Sequence, residues 1–260
     1  MTADACPPLR LYGHRGSSAQ LPENTLAAFD RALADGASAL ELDVQRTRDG
    51  HLVVAHDPDG RRTARRAERI ADVSLAEVRN WNVGAGLPTG VGAVHRMPTL
   101  DEVLAAFPNV PLSIDIKPDL RSAMRDLRRR LIDTGAAPRV TVGSFHDHLL
   151  VALRRLGYPG PTALTRSEVA ALRFLPAALC RRMVRGDAAM IPPRHAFVRL
   201  DRPRFIARCR ALGMRVDYWV VNDPGEASRL LQDGATGLIS DDPGRVLPAM
   251  LRHGFHHGSR

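Results

Sequence analysis

Short β-branched or apolar runs alternate with longer segments of helical periodicity from one end of this chain to the other. The runs lie near residues 9–13, 39–45, 112–116, 140–144, 161–164, 188–191, 216–221 and 237–240. The helical patterns cover 24–35, 119–134, 146–156, 167–183, 202–212, 225–233 and 244–252. Strand-then-helix repetition is the signature of βα units that build a mainly parallel sheet. Eight strand positions make the expected architecture an α/β fold of the (β/α)8 TIM-barrel type. Local signals agree. Ser74-Leu-Ala-Glu77 and Thr99-Leu-Asp-Glu102 read as capping boxes, and Gly36, Gly135, Gly157, Gly213 and Gly234 follow the last apolar position of a helical pattern.

Two stretches depart from the repeat. Residues 46–51, RTRDGH, place an Asp49-Gly50 turn between ELDVQ and LVVAHD. The connection is too short for a helical crossover, so 52–56 should return antiparallel as an extra β-hairpin arm. Residues of about 57–111, rich in Arg, Gly and Pro and carrying both capping boxes, read as a small helical insertion over one end of the barrel. Their apolar content is too low for a core of their own, and 260 residues suit one α/β barrel, so a single domain over 1–260 is expected.

Apolar residues make up 44% and charged residues 25%, which excludes a largely disordered chain. No basic-then-apolar leader opens the sequence and no apolar run is long enough to span a bilayer, so no stable membrane anchor is expected. Cys6, Cys180 and Cys209 are far apart and odd in number, against a disulfide framework or a cysteine-rich zinc site. A cytoplasmic location is expected. The net charge of +9 raises the question of a nucleic-acid partner. Arginines are dispersed, however, and aromatics at 5% are not interleaved with them as a base-stacking platform requires, so solvated basic faces are the expectation and no nucleic acid. Of the 37 basic residues only Lys117 is a lysine, a compact ammonium in a chain that otherwise uses arginine.

In ALELDVQ, period-two geometry aims Glu41 and Asp43 at one face and Leu40, Leu42 and Val44 at the other. Carboxylates facing a barrel interior repel unless arginine partners, protons or a bound cation neutralise them. SIDIKP sets Asp115 and Lys117 on one face in the same way. Three carboxylates without cysteine suit a hard divalent ion, Mg²⁺ or Ca²⁺, better than zinc. His14 and His56 each end an apolar run, where a histidine is either a hydrogen-bonded packing residue or a proton-transfer group. Arg15 offers a fork that fits phosphate oxygens and Lys117 a point charge. Together these groups supply what displacement at a phosphodiester requires: neutralised non-bridging oxygens and an acid and base for the leaving and attacking oxygens.

GHRG at 13–16, PENT at 22–25, GASALELDVQRTRDGHLVVAHD at 36–57, MPTLDEVL at 97–104, IDIKP at 114–118, YWVVND at 218–223 and GLISDDP at 237–243 occur in order. In them the chain resembles the glycerophosphodiester phosphodiesterase family over nearly its whole length. The resemblance implies a barrel of the PLC-like phosphodiesterase type that hydrolyses a small-molecule glycerophosphodiester to sn-glycerol 3-phosphate and an alcohol, using one divalent cation, Mg²⁺ or Ca²⁺. Carried over position by position, it makes His14 and His56 the catalytic acid/base pair and Glu41, Asp43 and Asp115 the metal ligands. Arg15 and Lys117 become phosphate-binding residues, and Trp219 a wall of the glycerol pocket, with core packing as its other reading. Asp115 stands where the family more often carries glutamate, which leaves the ion open, and Ser240 where threonine is commoner. Two further readings are a lysophospholipase D, with the same residues and a more apolar mouth, and a non-catalytic phosphate-ligand barrel, against which the filled polar positions argue. Neither oligomeric state nor head group is readable from the sequence.

Overall fold

The computed structural model describes residues 7–90 and 92–256; Cys6 and His257 lie outside the described residues. Ten strands occur among them: β1 (Arg10–His14), β2 (Ala39–Arg46), β3 (Leu52–Val54), β4 (Leu112–Ile116), β5 (Val140–Gly143), β6 (Ala188–Ile191), β7 (Arg194–His195), β8 (Val198–Arg199), β9 (Arg215–Tyr218) and β10 (Gly237–Ser240). Seven run parallel in the order β5-β4-β2-β1-β10-β9-β6. The gap between β5 and β6 is filled by the bridges Val142↔Thr162 and Ala163↔Ala188. The expected eight strand positions therefore stand in one ring, a (β/α)8 barrel. The run at 161–164 makes bridges and not a full strand, because Pro161 has no N–H to give and the N–H of Thr162 goes to the Asp187 carboxylate at 2.8 Å.

The alternation along β2 is realised. Leu40, Leu42 and Val44 pack outward with Leu112, Ile114 and Ile116 of β4 into a core cluster under the helices. Glu41 and Asp43 face the interior cavity. A second cluster lies outside β6, β9 and β10. Within the ring, Tyr12 donates to Asp217 at 3.1 Å and Arg215 holds the same carboxylate at 3.0 Å, which satisfies the buried polar groups there. β3 pairs antiparallel with β2 in the register Val44↔Val54, as the Asp49-Gly50 turn implied, with Gly50 at φ +90°.

The helices are α1 (Leu26–Ala34), α2 (Arg61–Ala64), α3 (Leu75–Val78), α4 (Leu100–Ala106), α5 (Met124–Asp133), α6 (Asp147–Arg155), α7 (Arg166–Phe174), α8 (Ala177–Met183), α9 (Pro203–Arg210), α10 (Pro224–Gln232) and α11 (Pro243–Arg252). The helical pattern at 167–183 is two helices. Pro176 holds Leu175 extended, at ψ 159°, and breaks the run between α7 and α8. Both capping boxes form, at α3 and α4. The few apolar residues before α4 gather with Trp81 into a small buried cluster beneath the hairpin arm, while Leu100, Val103 and Leu104 of α4 join the larger core. One indole supplies much of the apolar area that the segment otherwise lacks. No helix among the described residues is long and apolar enough to cross a membrane.

Candidate active site

All eight residues singled out in the sequence, His14, Arg15, Glu41, Asp43, His56, Asp115, Lys117 and Trp219, line one cavity of about 650 Å³. It opens where β1, β2 and β4 end, the rim on which (β/α)8 barrels carry their sites. β1 delivers His14 at its last residue, and the chain then turns through Arg15 and Gly16, both at positive φ. Gly16 is required: a Cβ there would stand 2.5 Å from the backbone of Ala28 in α1.

Each histidine is held through Nδ1 by a carboxylate. His14 Nδ1 lies 2.6 Å from Asp241 Oδ1, and His56 Nδ1 lies 2.8 Å from Asp57 Oδ1. Burial would raise the pKa of Asp241, but hydrogen bonds from His14, Asn222 and Ser18 outweigh it and bring it to about 2. The hydrogen bond from His56, with Arg62 assisting, brings Asp57 to about 2. Both acids are therefore ionised and can only accept, so each Nδ1 carries the proton and each Nε2 is left for exchange. Burial lowers the proton affinity of His14, yet Asp241 and Glu41 more than offset that, and its pKa lies above the ordinary value.

The acids on β2 and β4 share the interior with two cations. Lys117 Nζ stands 2.6 Å from Asp43 Oδ1 and 2.7 Å from Asp115 Oδ2. Arg15 Nε is 3.3 Å from Asp43 Oδ2, without hydrogen-bond alignment, and its Nη1 donates to Glu23 at 3.0 Å. Despite its burial, Asp43 is held below the usual carboxylate range by Lys117 and Arg15. Asp115 is pushed up, by burial first and by Asp43. Glu41 receives the Arg15 backbone N–H at 3.1 Å; burial and the charge of Asp43 push it up to about 7. Negative charge thus exceeds positive charge on this wall. Among the described residues no three His, Cys, Asp or Glu side chains already stand as a ready-made ligand cluster, and Lys117 takes the space between Asp43 and Asp115. The charge balance and the hard-oxygen donors nevertheless fit a divalent cation. With all three carboxylates ionised, as a bound cation would hold them, they and a phosphodiester carry four negative charges against two from Arg15 and Lys117, which one divalent ion balances.

Several residues of the site carried no role in the sequence reading. Asp241 and Asp57 anchor the histidines; Asn222 donates to Asp241 Oδ2 at 2.7 Å, and Asn24 to Asp43 Oδ2 at 3.0 Å. Glu23 joins Arg15 to Arg62 of α2, which continues to Asp57 at 2.7 Å, so the two histidines' neighbourhoods are linked by one chain of ion pairs. PENT and GLISDDP contained three of these residues. Ser240 donates to Asn222 Oδ1 at 2.8 Å, a hydrogen bond that needs only the hydroxyl. Trp219 meets Phe145 edge to face at 5.5 Å, so it lines the cavity while packing against another wall residue. The far wall is apolar, built from Leu164, Val169, Phe174, Ile191, Val198 and Leu200.

A (β/α)8 barrel with this cavity at its rim defines the class, a barrel hydrolase of phosphate diesters. Residues 14–245 match the glycerophosphoryl diester phosphodiesterase family, and the chain belongs to it. It is an enzyme of the phosphoric diester hydrolase class. The glycerophosphodiester phosphodiesterase of Caldanaerobacter subterraneus subsp. tengcongensis is 30% identical over 94% of this chain and 98% of its own. A lysophospholipase D of Rattus norvegicus is 26% identical over 91% of this chain and 84% of its own. Among solved structures, the glycerophosphodiester phosphodiesterase of Agrobacterium tumefaciens superposes with TM-score 0.79 at 21% identity, over 92% of this chain and 99% of its own. An Oleispira antarctica phosphodiesterase in complex with the product sn-glycerol-3-phosphate gives TM-score 0.72 at 22% identity, over 93% and 96%. The solved structures establish the shared fold.

Proposed function

We propose that this enzyme hydrolyses a glycerophosphodiester to sn-glycerol 3-phosphate and an alcohol, with His14 and His56 as the acid and base and a divalent cation, Mg²⁺ or Ca²⁺, held by Glu41, Asp43 and Asp115. The observation that carries this reading is the pair of carboxylate-held histidines opening into the same cavity as Arg15 and Lys117. One histidine takes a proton from water as its oxygen bonds to phosphorus, and the other gives a proton to the alcohol oxygen as its P–O bond breaks. Arg15 and Lys117 bind the non-bridging oxygens, which requires both to release part of their present pairing with Asp43, Glu23 and Asp115. The cation, when bound, supplies the further positive charge that polarises the phosphoryl group. Trp219 walls the glycerol moiety. A single domain over 1–260, with about 57–111 inserted, and a cytoplasmic location belong to the same proposal; α2 of that segment reaching Glu23 and Asp57 supports its attachment to the rim.

Release of glycerol 3-phosphate from glycerophosphocholine is the test. It should require Mg²⁺ or Ca²⁺, stop on chelation, and fall by about 10²- to 10⁴-fold in His14→Ala and in His56→Ala. Full activity in either variant removes that histidine from the mechanism.

A second reading has a specific observation behind it. The insertion is polar, but the opposite wall, Leu164 to Leu200, is apolar and large enough to take part of an acyl chain. Turnover of lysophosphatidylcholine exceeding that of glycerophosphocholine would make the enzyme a lysophospholipase D.

A further inference from the structure

The apolar wall does not stop at the cavity mouth. Phe145 and Phe174, both on that wall, are 54% and 66% exposed, so their rings face outward as well as in. Between His195 and Val198, which also line the cavity, the two-residue turn from β7 to β8 carries Phe197, exposed over its entire side chain at 103%. On α8, which packs beside α7, Leu179 and Met183 lie four residues apart on one helix face, and both are exposed. A full phenyl ring in water at the tip of a two-residue turn has no role in holding the barrel. Clustered large apolar side chains at the surface mark a binding face.

Charge says what covers it. Residues 166–199 hold seven arginines and two acids, a net +5, of which Arg199 is held by the Asp201 carboxylate at 3.0 Å. Of the two acids, Glu168 is buried against Arg154 and Asp187 is bonded to Thr162. Arg181 and Arg182, next to Met183 on α8, and Arg194, three residues before Phe197 on β7, are exposed. Phenyl rings that can enter the acyl boundary, with guanidinium groups at head-group level, are complementary to an anionic bilayer. A protein partner would need a shaped acidic surface, whereas a ring projecting from a turn, as Phe197 does, suits a soft one.

We propose that the face formed by α7, α8, the β7–β8 turn and Phe145 docks this enzyme reversibly onto anionic lipid bilayers, with the cavity mouth toward the membrane. The face is peripheral and requires no spanning segment. Docking would present the cavity to glycerophosphodiesters at the lipid surface, but binding is read without turnover, so it stands or falls separately from the proposed chemistry.

Co-sedimentation of the full chain with vesicles measures it. Vesicles of phosphatidylcholine with phosphatidylglycerol should bind the protein about tenfold more strongly than phosphatidylcholine alone, and added salt should weaken the binding. Phe197→Ser, Leu179→Ser with Met183→Ser, and Arg182→Glu should each reduce partitioning by about fivefold or more, while hydrolysis of soluble glycerophosphocholine stays at the starting level. Cooperative urea unfolding with the parent's midpoint shows, independently of any turnover, that the variants are folded. Absence of binding to anionic vesicles at low salt overturns the proposal. So does binding that all three variants retain, which would be diffuse charge attraction alone. Self-association in light scattering that Phe197→Ser abolishes, without vesicle binding, would assign the face to a second copy of this chain and overturn it as well.

Discussion

Asp241 reaches His14 across 227 positions of sequence, at 2.6 Å, and the pair sets two expectations for one substitution. Asn at 241 keeps the shape but can turn an amide N–H toward Nδ1, which would move the imidazole proton to Nε2 and leave His14 in the wrong tautomer. With His14 in its proposed role, Asp241→Asn should lower kcat by about 10- to 100-fold with little change in KM. The second expectation concerns acid. The folded pKa of Asp241 is about 2 against an ordinary 3.8, so its contribution to stability is fully present above pH 3.8 and fades as pH falls through 2. The shift corresponds to about 2 kcal/mol, nearer 1 kcal/mol once screening of a carboxylate that is 32% exposed is allowed for. Urea unfolding should show Asp241→Asn less stable than the parent at neutral pH and nearly equal to it at about pH 2. An equal deficit at both would mean the carboxylate's charge is not what stabilises. At this scale the sequence exposed the ionisable groups that line the cavity, since His14, Glu41, Asp43, His56, Asp115 and Lys117 announce themselves by type and strand position. It concealed the groups that hold them. Asp241, Glu23 and Arg62 act through pairings between distant segments, and no local pattern encodes those.

Thr25 ties the start of α1 to the site. Its hydroxyl accepts the Ala28 N–H at 3.2 Å and donates to the Pro22 carbonyl at 2.7 Å, while the preceding Asn24, at φ +58°, donates to Asp43. Thr25→Ala should cost about 1–2 kcal/mol, because the cap is buried and water does not replace it. The urea midpoint should fall with an unchanged slope; a changed slope would point to a loosened folded state and not to a lost cap. Elements were legible where pattern and punctuation agreed. Both capping boxes, the hairpin arm and the alternation of β2 all follow from local chemistry. Boundaries were less so where a proline intervened. Pro161 shortens a strand to two bridges and Pro176 divides one helical pattern into α7 and α8, because periodicity reports which face is apolar and not whether the backbone is continuous.

Loading of the proposed cation site should stabilise the whole barrel. The two large apolar clusters lie outside the ring, between strands and helices, so the ends of β2 and β4 are joined on their inner side by charge and hydrogen bonds. On that inner side the proposed cation would relieve the excess of Glu41, Asp43 and Asp115 over Lys117 and Arg15, and it would do so only in the folded chain, where strands far apart in sequence bring the acids together. A ligand that binds only the folded state stabilises it by about 2.7 kcal/mol at one hundred times its Kd. For a chain of this size that corresponds to a rise of about 5–10 °C in Tm. Mg²⁺ or Ca²⁺ should therefore raise Tm saturably, a chelator should reverse the rise, and the ion that acts at the lower concentration is the one the site prefers with Asp115 in place. Glu41→Gln removes one negative ligand and part of the repulsion together, so it should raise the ion-free Tm while flattening the response to ion. Equal Tm with and without saturating ion in the parent protein would count against the cation itself, whatever the activity, since neutralising carboxylates that only the folded chain brings together cannot leave the folding equilibrium unchanged.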